Sequence, residues 1–227
     1  MIVCLDAGHG VNTAGKRNFD ESFFEYEFNR DVVRRITIHL LRHGIYVLPT
    51  CLSDQDVPLN TRCKISNDAK ADIFVSVHAN AYGTDWNTAN GYSIFHHTGS
   101  IKGKKLAEAI HSESIPFLGL RDRGIKSENF QVLRETIAPA VLVEHFFFTN
   151  KEELAKCNTN EFREKCAIAD AKGILKYFGI EWIEPDEKAI EYKALYENAL
   201  LQVETQKLTN DRLQNKLYRI DSIINEN

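Results

Sequence analysis

Three short apolar runs in this chain each end on a residue able to hold a metal ion or move a proton. Ile2-Val3-Cys4-Leu5 leads into Asp6-Ala7-Gly8-His9-Gly10, and Ile73-Phe74-Val75-Ser76-Val77 into His78-Ala79-Asn80. Ala140-Val141-Leu142-Val143 leads into Glu144-His145-Phe146. Runs of this length, rich in β-branched residues and bounded by Gly or Asn, read as buried strands. Ligands of an open α/β sheet gather just beyond the carboxyl ends of its strands. His9 and His78 are therefore placed to share one metal ion. Glu144 would be costly to bury at the same point without a partner, and a metal, or water on a metal, is such a partner.

A hydrolytic zinc site has three protein ligands and one open position. The third ligand must be a His, Glu or Asp that reaches the two histidines. The start of the first long helical pattern offers Glu21, Glu25 and Glu27. Glu25 precedes Phe28 by three residues and Val32 by seven, which puts it at the inner edge of the apolar stripe. Glu27 lies about 200° around the helix from Glu25 and faces solvent. His96, His97 and His145 read as surface or substrate-cleft residues.

The elements that must position these residues follow from the hydrophobic period. Phe24, Phe28, Val32, Ile36, Leu40 and Leu41 recur at helical spacing, and His43-Gly44 ends that helix. Ile45 to Leu48 reads as a strand stopped by Pro49, which completes a βαβ unit. A helix over about 58–70 leads to the strand at 73–77. A polar loop over 80–90 precedes a strand over 91–96, a helix over 101–115, a short strand over 130–133, the strand at 140–144 and a helix over 160–178. The expected fold class is α/β, an open, mostly parallel twisted sheet with helices on both faces. Residues 1–180 form the expected catalytic domain.

Residues 181–227 change character. They hold ten acidic and six basic side chains, which accounts for the whole net charge of −4. Ala189, Tyr192, Tyr196, Ala199, Val203, Gln206, Asn210, Leu213, Leu217, Ile220 and Ile224 follow alternating steps of three and four. That is an a/d seam, and it predicts a C-terminal helical tail that either self-associates as a coiled coil through residues 186–224 or packs back on the domain.

Composition excludes several classes. The 227 residues are 43% hydrophobic and 26% charged, an ordinary soluble balance. A net charge of −4 argues against nucleic acid as the main partner. No stretch approaches the roughly 18 apolar residues of a membrane span. Five cysteines without C-x-x-C spacing read as reduced structural thiols. Strand-like sequence begins at once, so no secretory leader is expected and the chain is expected to be cytoplasmic when made.

Four segments together resemble the zinc-dependent N-acetylmuramoyl-L-alanine amidases, the family often called amidase_3. They are Leu5 to Gly10; Glu25-Tyr26-Glu27-Phe28-Asn29; Ala71 to Ala81; and Pro139 to Glu144 with Phe148-Thr149-Asn150. The resemblance covers about residues 1–180. It implies that His9, Glu25 and His78 hold one Zn2+ and that Glu144 is the catalytic glutamate, taking a proton from the attacking water and passing it to the leaving amine. Asn29 and Arg62 also match family positions. Thr50-Cys51 stands where the family usually has Thr-Arg, and Ala7 where it often has Pro.

The implied partner is bacterial peptidoglycan, and the implied scissile bond joins N-acetylmuramic acid to L-alanine of the stem peptide. With no leader expected, a phage or prophage endolysin that reaches the wall after release is the matching biology. Two rivals stand beside this reading: a wall-peptide-binding module without catalysis, and a zinc peptidase that cuts within the stem peptide.

Overall fold

The computed structural model describes residues 1–184. The predicted coiled-coil seam over 186–224 lies outside the described residues. Met1–Ile183 forms one compact unit.

Six strands alternate with helices. The order is β1 (Ile2–Ala7), α1 (Glu25–Arg42), β2 (Tyr46–Pro49), α2 (Leu59–Asp68), β3 (Ile73–Asn80), β4 (Tyr92–His97), α3 (Ile101–Leu118), β5 (Asp122–Glu128), α4 (Gln131–Arg134), β6 (Ala140–Phe147), α5 (Lys151–Cys157) and α6 (Asn160–Phe178). The strands lie side by side as β2-β1-β3-β6-β4-β5. Every neighbouring pair is parallel except β4 with β6. The three central strands, β1, β3 and β6, therefore point their carboxyl ends at one edge of the sheet.

Strand alternation sorts the central residues between two faces. Val3, Leu5, Val75, Val77, Val141 and Val143 pack into the larger core with α1, α3 and α6. Cys4, Phe74, Ala140 and Leu142 face the other way, against Cys63 of α2 and Val132 and Leu133 of α4. Gly173 permits the close α3–α6 packing, because a Cβ there would sit 2.3 Å from Ile110 Cα. All five cysteines are free thiols.

Two expectations are corrected. Residues 130–133 do not form a strand: Gln131–Arg134 is one turn of helix, and the strand is Asp122–Glu128. Val132 and Leu133 are both buried although adjacent, which a helical turn onto one face allows and strand alternation does not. The true strand escaped notice because it is a sheet edge, mostly polar and partly exposed, without the apolar run that marks a central strand. His145, read from sequence as a surface or cleft residue, is fully buried on the larger-core face. It packs between Phe28 and Tyr92, and its Nε2 lies 3.0 Å from Asp170 Oδ2.

Candidate metal centre and cleft

Register fixes most of the site. Asp6 pairs directly with Ser76, and His78 with Glu144. Asp6, Ser76, His78, Leu142 and Glu144 share one strand parity, so all point to the α2–α4 face. The chain leaves β1 through Gly8 and His9. Gly8 donates its N–H to Val77 O at 3.1 Å, and a Cβ at Gly8 would sit 2.0 Å from the His78 ring. Only glycine lets the two loops meet there. His9 takes a left-handed backbone conformation, φ 64°, a strained choice for a residue with a Cβ. The turn aims its ring back over the sheet end, 4.9 Å centroid to centroid from His78.

Glu25 arrives from the first turn of α1. Its placement depends on the loop before it. Arg17 and Phe24 form an antiparallel bridge, Glu25 N–H donates to Lys16 O at 3.0 Å, and Asn18 Oδ1 accepts from Phe23 N–H at 2.9 Å. Phe23 is buried against Phe28, Phe146 and Phe148. This anchors the helix start, so the Glu25 carboxylate, 1% exposed, reaches over the sheet edge.

His9, Glu25 and His78 each present one donor atom, and these atoms lie within 4.8 Å of one another. His78 Nδ1 is 3.0 Å and His9 Nε2 3.5 Å from Glu25 Oε1. Lys16 Nζ is 3.9 Å from Glu25 Oε2, which accepts no hydrogen bond among the described residues. Asn29, fully buried one turn along α1, donates to Gly8 O at 2.9 Å and ties the helix to the glycine turn.

The electrostatics follow from burial and crowding. Burial pushes the His9 imidazole down to about 4, which keeps it neutral. Burial acts on Glu25 in the opposite sense, but the hydrogen bond and charge of His78, with His9 and Lys16 behind, hold its carboxyl below the ordinary value. His78 is raised despite its burial, because Glu25 bonds to it and Glu144 and Asp6 add negative charge. Burial raises the Glu144 carboxyl to about 7; the nearby Glu25 charge pushes the same way and His78 opposes. Its Oε2 has no hydrogen-bond partner among the described residues.

His9, His78 and Glu144 line the end of a cleft of about 390 Å³, the size of a small-ligand pocket. Its far wall is apolar, built from Val57, Pro58 and Leu59 before and at the start of α2 and from Phe130 and Val132 around α4. These wall residues, and Lys16, were not singled out by sequence reasoning. Their loops carry no motif of their own, and the apolar wall is visible only once α2 and α4 lie side by side. Two imidazole nitrogens and a carboxylate oxygen, converging with one oxygen left without a donor, fit a borderline-soft divalent ion rather than the six or more oxygens that Ca2+ requires.

Known proteins share this fold. The family model "N-acetylmuramoyl-L-alanine amidase" (Amidase_3) matches residues 3–176. The chain is similar to N-acetylmuramoyl-L-alanine amidase LytC of Bacillus subtilis, 32% identical over 178 residues that cover 78% of this chain and 35% of LytC. It thus spans about a third of that relative's length. It is 35% identical over 183 residues to the endolysin of Bacillus phage SPP1, covering 79% of this chain and 67% of the endolysin. Its fold superposes on the N-acetylmuramoyl-L-alanine amidase of Clostridium difficile 630 with a TM-score of 0.75 and 30% identity, covering 78% of this chain and 96% of that one. With the family model spanning nearly the whole of the described unit, the chain belongs to the Amidase_3 family of N-acetylmuramoyl-L-alanine amidases.

Proposed function

We propose that this protein hydrolyses the amide between N-acetylmuramic acid and L-alanine in bacterial peptidoglycan, with His9, Glu25 and His78 holding one Zn2+ and Glu144 as the catalytic residue. The observation that carries the reading is the convergence of three donor atoms within 4.8 Å beside a glutamate on the adjacent strand whose carboxyl is raised to about 7. Family membership and peptidoglycan-hydrolysing relatives supply the substrate class. Bound in this N,N,O set, zinc supplies Lewis acidity toward the scissile carbonyl and acidifies water.

The chain's own residues supply the rest. Glu144 lines the cleft beside His78, and its unpartnered Oε2 is free to accept a proton from the attacking water. A carboxyl near pH 7 gives that proton up again, to the amine that leaves as the amide breaks. Asn29 and the Gly8 turn hold Glu25 and His9 against the pull of the ion. The apolar wall at Val57–Leu59 and Phe130–Val132 gives the polymer a surface to lie along beside the catalytic carboxylate. We assign the reaction to residues 1–180 and its place of action to the cell wall, as in the endolysin it resembles.

The test is removal and return of metal. Chelated protein should lose wall-clearing activity and regain it with one equivalent of Zn2+, whereas His9→Ala and Glu25→Gln should remain inactive and bind less than one equivalent. Full activity in the chelated protein would overturn the assignment.

A further inference from the structure

The Arg62–Asp6–Ser76–His78 chain beneath the site has a direction. Asp6 is 1% exposed and Ser76 fully buried, so neither is solvated and each hydrogen must be accounted for within the protein. Asp6 Oδ1 accepts from Arg62 Nη1 and from Thr50 Oγ1, each at 2.5 Å. Asp6 Oδ2 lies 2.6 Å from Ser76 Oγ. Ser76 Oγ lies 3.0 Å from His78 Nε2. A carboxylate only accepts, so the 2.6 Å contact requires that Ser76 donate its single hydrogen to Asp6. Ser76 then has none left for His78. The contact to Nε2 is a hydrogen bond only if Nε2 carries the hydrogen and Ser76 accepts it. Were the serine hydrogen turned to His78 instead, two bare oxygens would face each other at 2.6 Å.

We infer that Asp6 and Ser76 are positioning residues that lock His78 as the Nε2–H tautomer, so that Nδ1 is the atom presented to the metal. The inference rests on the reading of His9, Glu25 and His78 as metal ligands. Nδ1 already faces Glu25 Oε1 at 3.0 Å, on the side of His9. An ion taken up between Nδ1 and Glu25 leaves the hydrogen on Nε2 to the relay.

Arg62 fixes the far end. Fully buried on α2, it also donates to Val57 O at 2.6 Å, Ala7 O at 2.7 Å and Asp56 Oδ1 at 2.8 Å. Asp6 therefore cannot swing away from Ser76 without breaking a clamp that spans β1, α2 and the loop before it. The relay differs from a direct carboxylate–histidine contact in placing a hydroxyl between the two, which transmits orientation while keeping the carboxylate out of the metal's reach.

The test uses the full-length protein and Zn2+. Ser76→Ala removes the acceptor and frees His78 to take either tautomer or rotate. Zinc affinity, read by competition with a chromophoric chelator, should weaken by about 10- to 100-fold, the usual effect of deleting a hydrogen-bond partner behind a histidine ligand. The metal-free variant leaves Asp6 Oδ2 without its serine donor and His78 Nε2–H without an acceptor and should melt several degrees below wild type, so affinities are compared at a temperature where both proteins are folded. Affinity within about twofold of wild type would overturn the inference.

A second measurement needs no variant. Nitrogen-15 histidine spectra of the zinc-loaded wild type should show His78 with a protonated Nε2 and a metal-shifted Nδ1. A His78 ligated through Nε2, or bearing its hydrogen on Nδ1, would overturn it even if Ser76→Ala does not fold. The two readings fail separately. Wild-type protein that binds no zinc overturns the ligand assignment and the relay together, whereas zinc bound through His9, Glu25 and His78 with the wrong tautomer overturns the relay alone.

Discussion

Glu144 sits where catalysis and stability pull in opposite directions. Its carboxyl is raised to about 7 because burial disfavours the charge, while the unfolded chain would ionise it near the ordinary 4.5. The folded state thus keeps the proton longer. Between about pH 4.5 and 7, unfolding releases a proton, so this group's contribution to stability falls as pH rises through that window and is fully lost above it. Glu144→Gln should therefore raise the melting temperature of the metal-free protein at pH 8 and leave it nearly unchanged at pH 4. The same substitution should lower kcat by about 10²- to 10⁴-fold, the usual share of a general base. In the zinc-loaded wild type, activity should fall on the acid side as Glu144 takes up its proton, with the midpoint below 7 because the ion's charge favours the carboxylate. A destabilised Glu144→Gln at pH 8 would show that the carboxyl is not held against its charge.

The position of Glu144 beside His78, unlike that of its neighbour His145, was legible in the sequence. His9, Glu25, His78 and Glu144 could be singled out because each stands at a strand end or on an apolar stripe edge. The relay behind His78 was not read, although Asp6 and Ser76 lie in the quoted motifs, because linking them requires the β1–β3 register. Once Asp6 is known to face Ser76, and Ser76 to stand two residues before His78, the shared parity follows.

Among the elements, the β1–α1 turn is the most exacting. Gly8 passes so close to His78 that a single methyl would overlap its ring, and His9 must then turn left-handed to bring its own ring over the sheet. Gly8→Ala should cost about 1–3 kcal/mol of stability from overpacking and should lose stoichiometric zinc at the same time. Isothermal titration with Zn2+ beside a denaturant melt reads both. A variant with native zinc affinity would mean that His78 has another position from which to ligate.

The continuous apolar runs revealed the three central strands because both their faces are buried. They failed at the sheet edge, where Asp122–Glu128 is largely polar, and at Gln131–Arg134, whose two adjacent apolar residues imitate a strand too short to show its period. His145 was misplaced for a related reason. One step along β6 from Glu144 is the opposite face, and nothing local to the sequence shows that Asp170, on α6, waits there to pair with it.

At the scale of the whole molecule, Met1–Ile183 is a closed unit with its own core and cleft. The relatives it matches extend well beyond the matched region in LytC and less so in the phage endolysin. A chain ending after Glu184 should therefore fold, melt within a few degrees of the full-length protein, and keep its activity per molecule on soluble wall fragments. Loss of folding on that truncation would contradict the assignment of catalysis to residues 1–180.

The central claim is the bond that is cut, and mass spectrometry of digested peptidoglycan reads it directly. Zinc-loaded protein should release free stem peptides that begin with L-alanine and leave glycan strands bearing unsubstituted muramic acid, and both products should vanish on chelation and in Glu144→Gln. Shortened peptides still attached to muramic acid would contradict the account and make the enzyme a peptidase. Wall that is bound but chemically unchanged would make it a binding module.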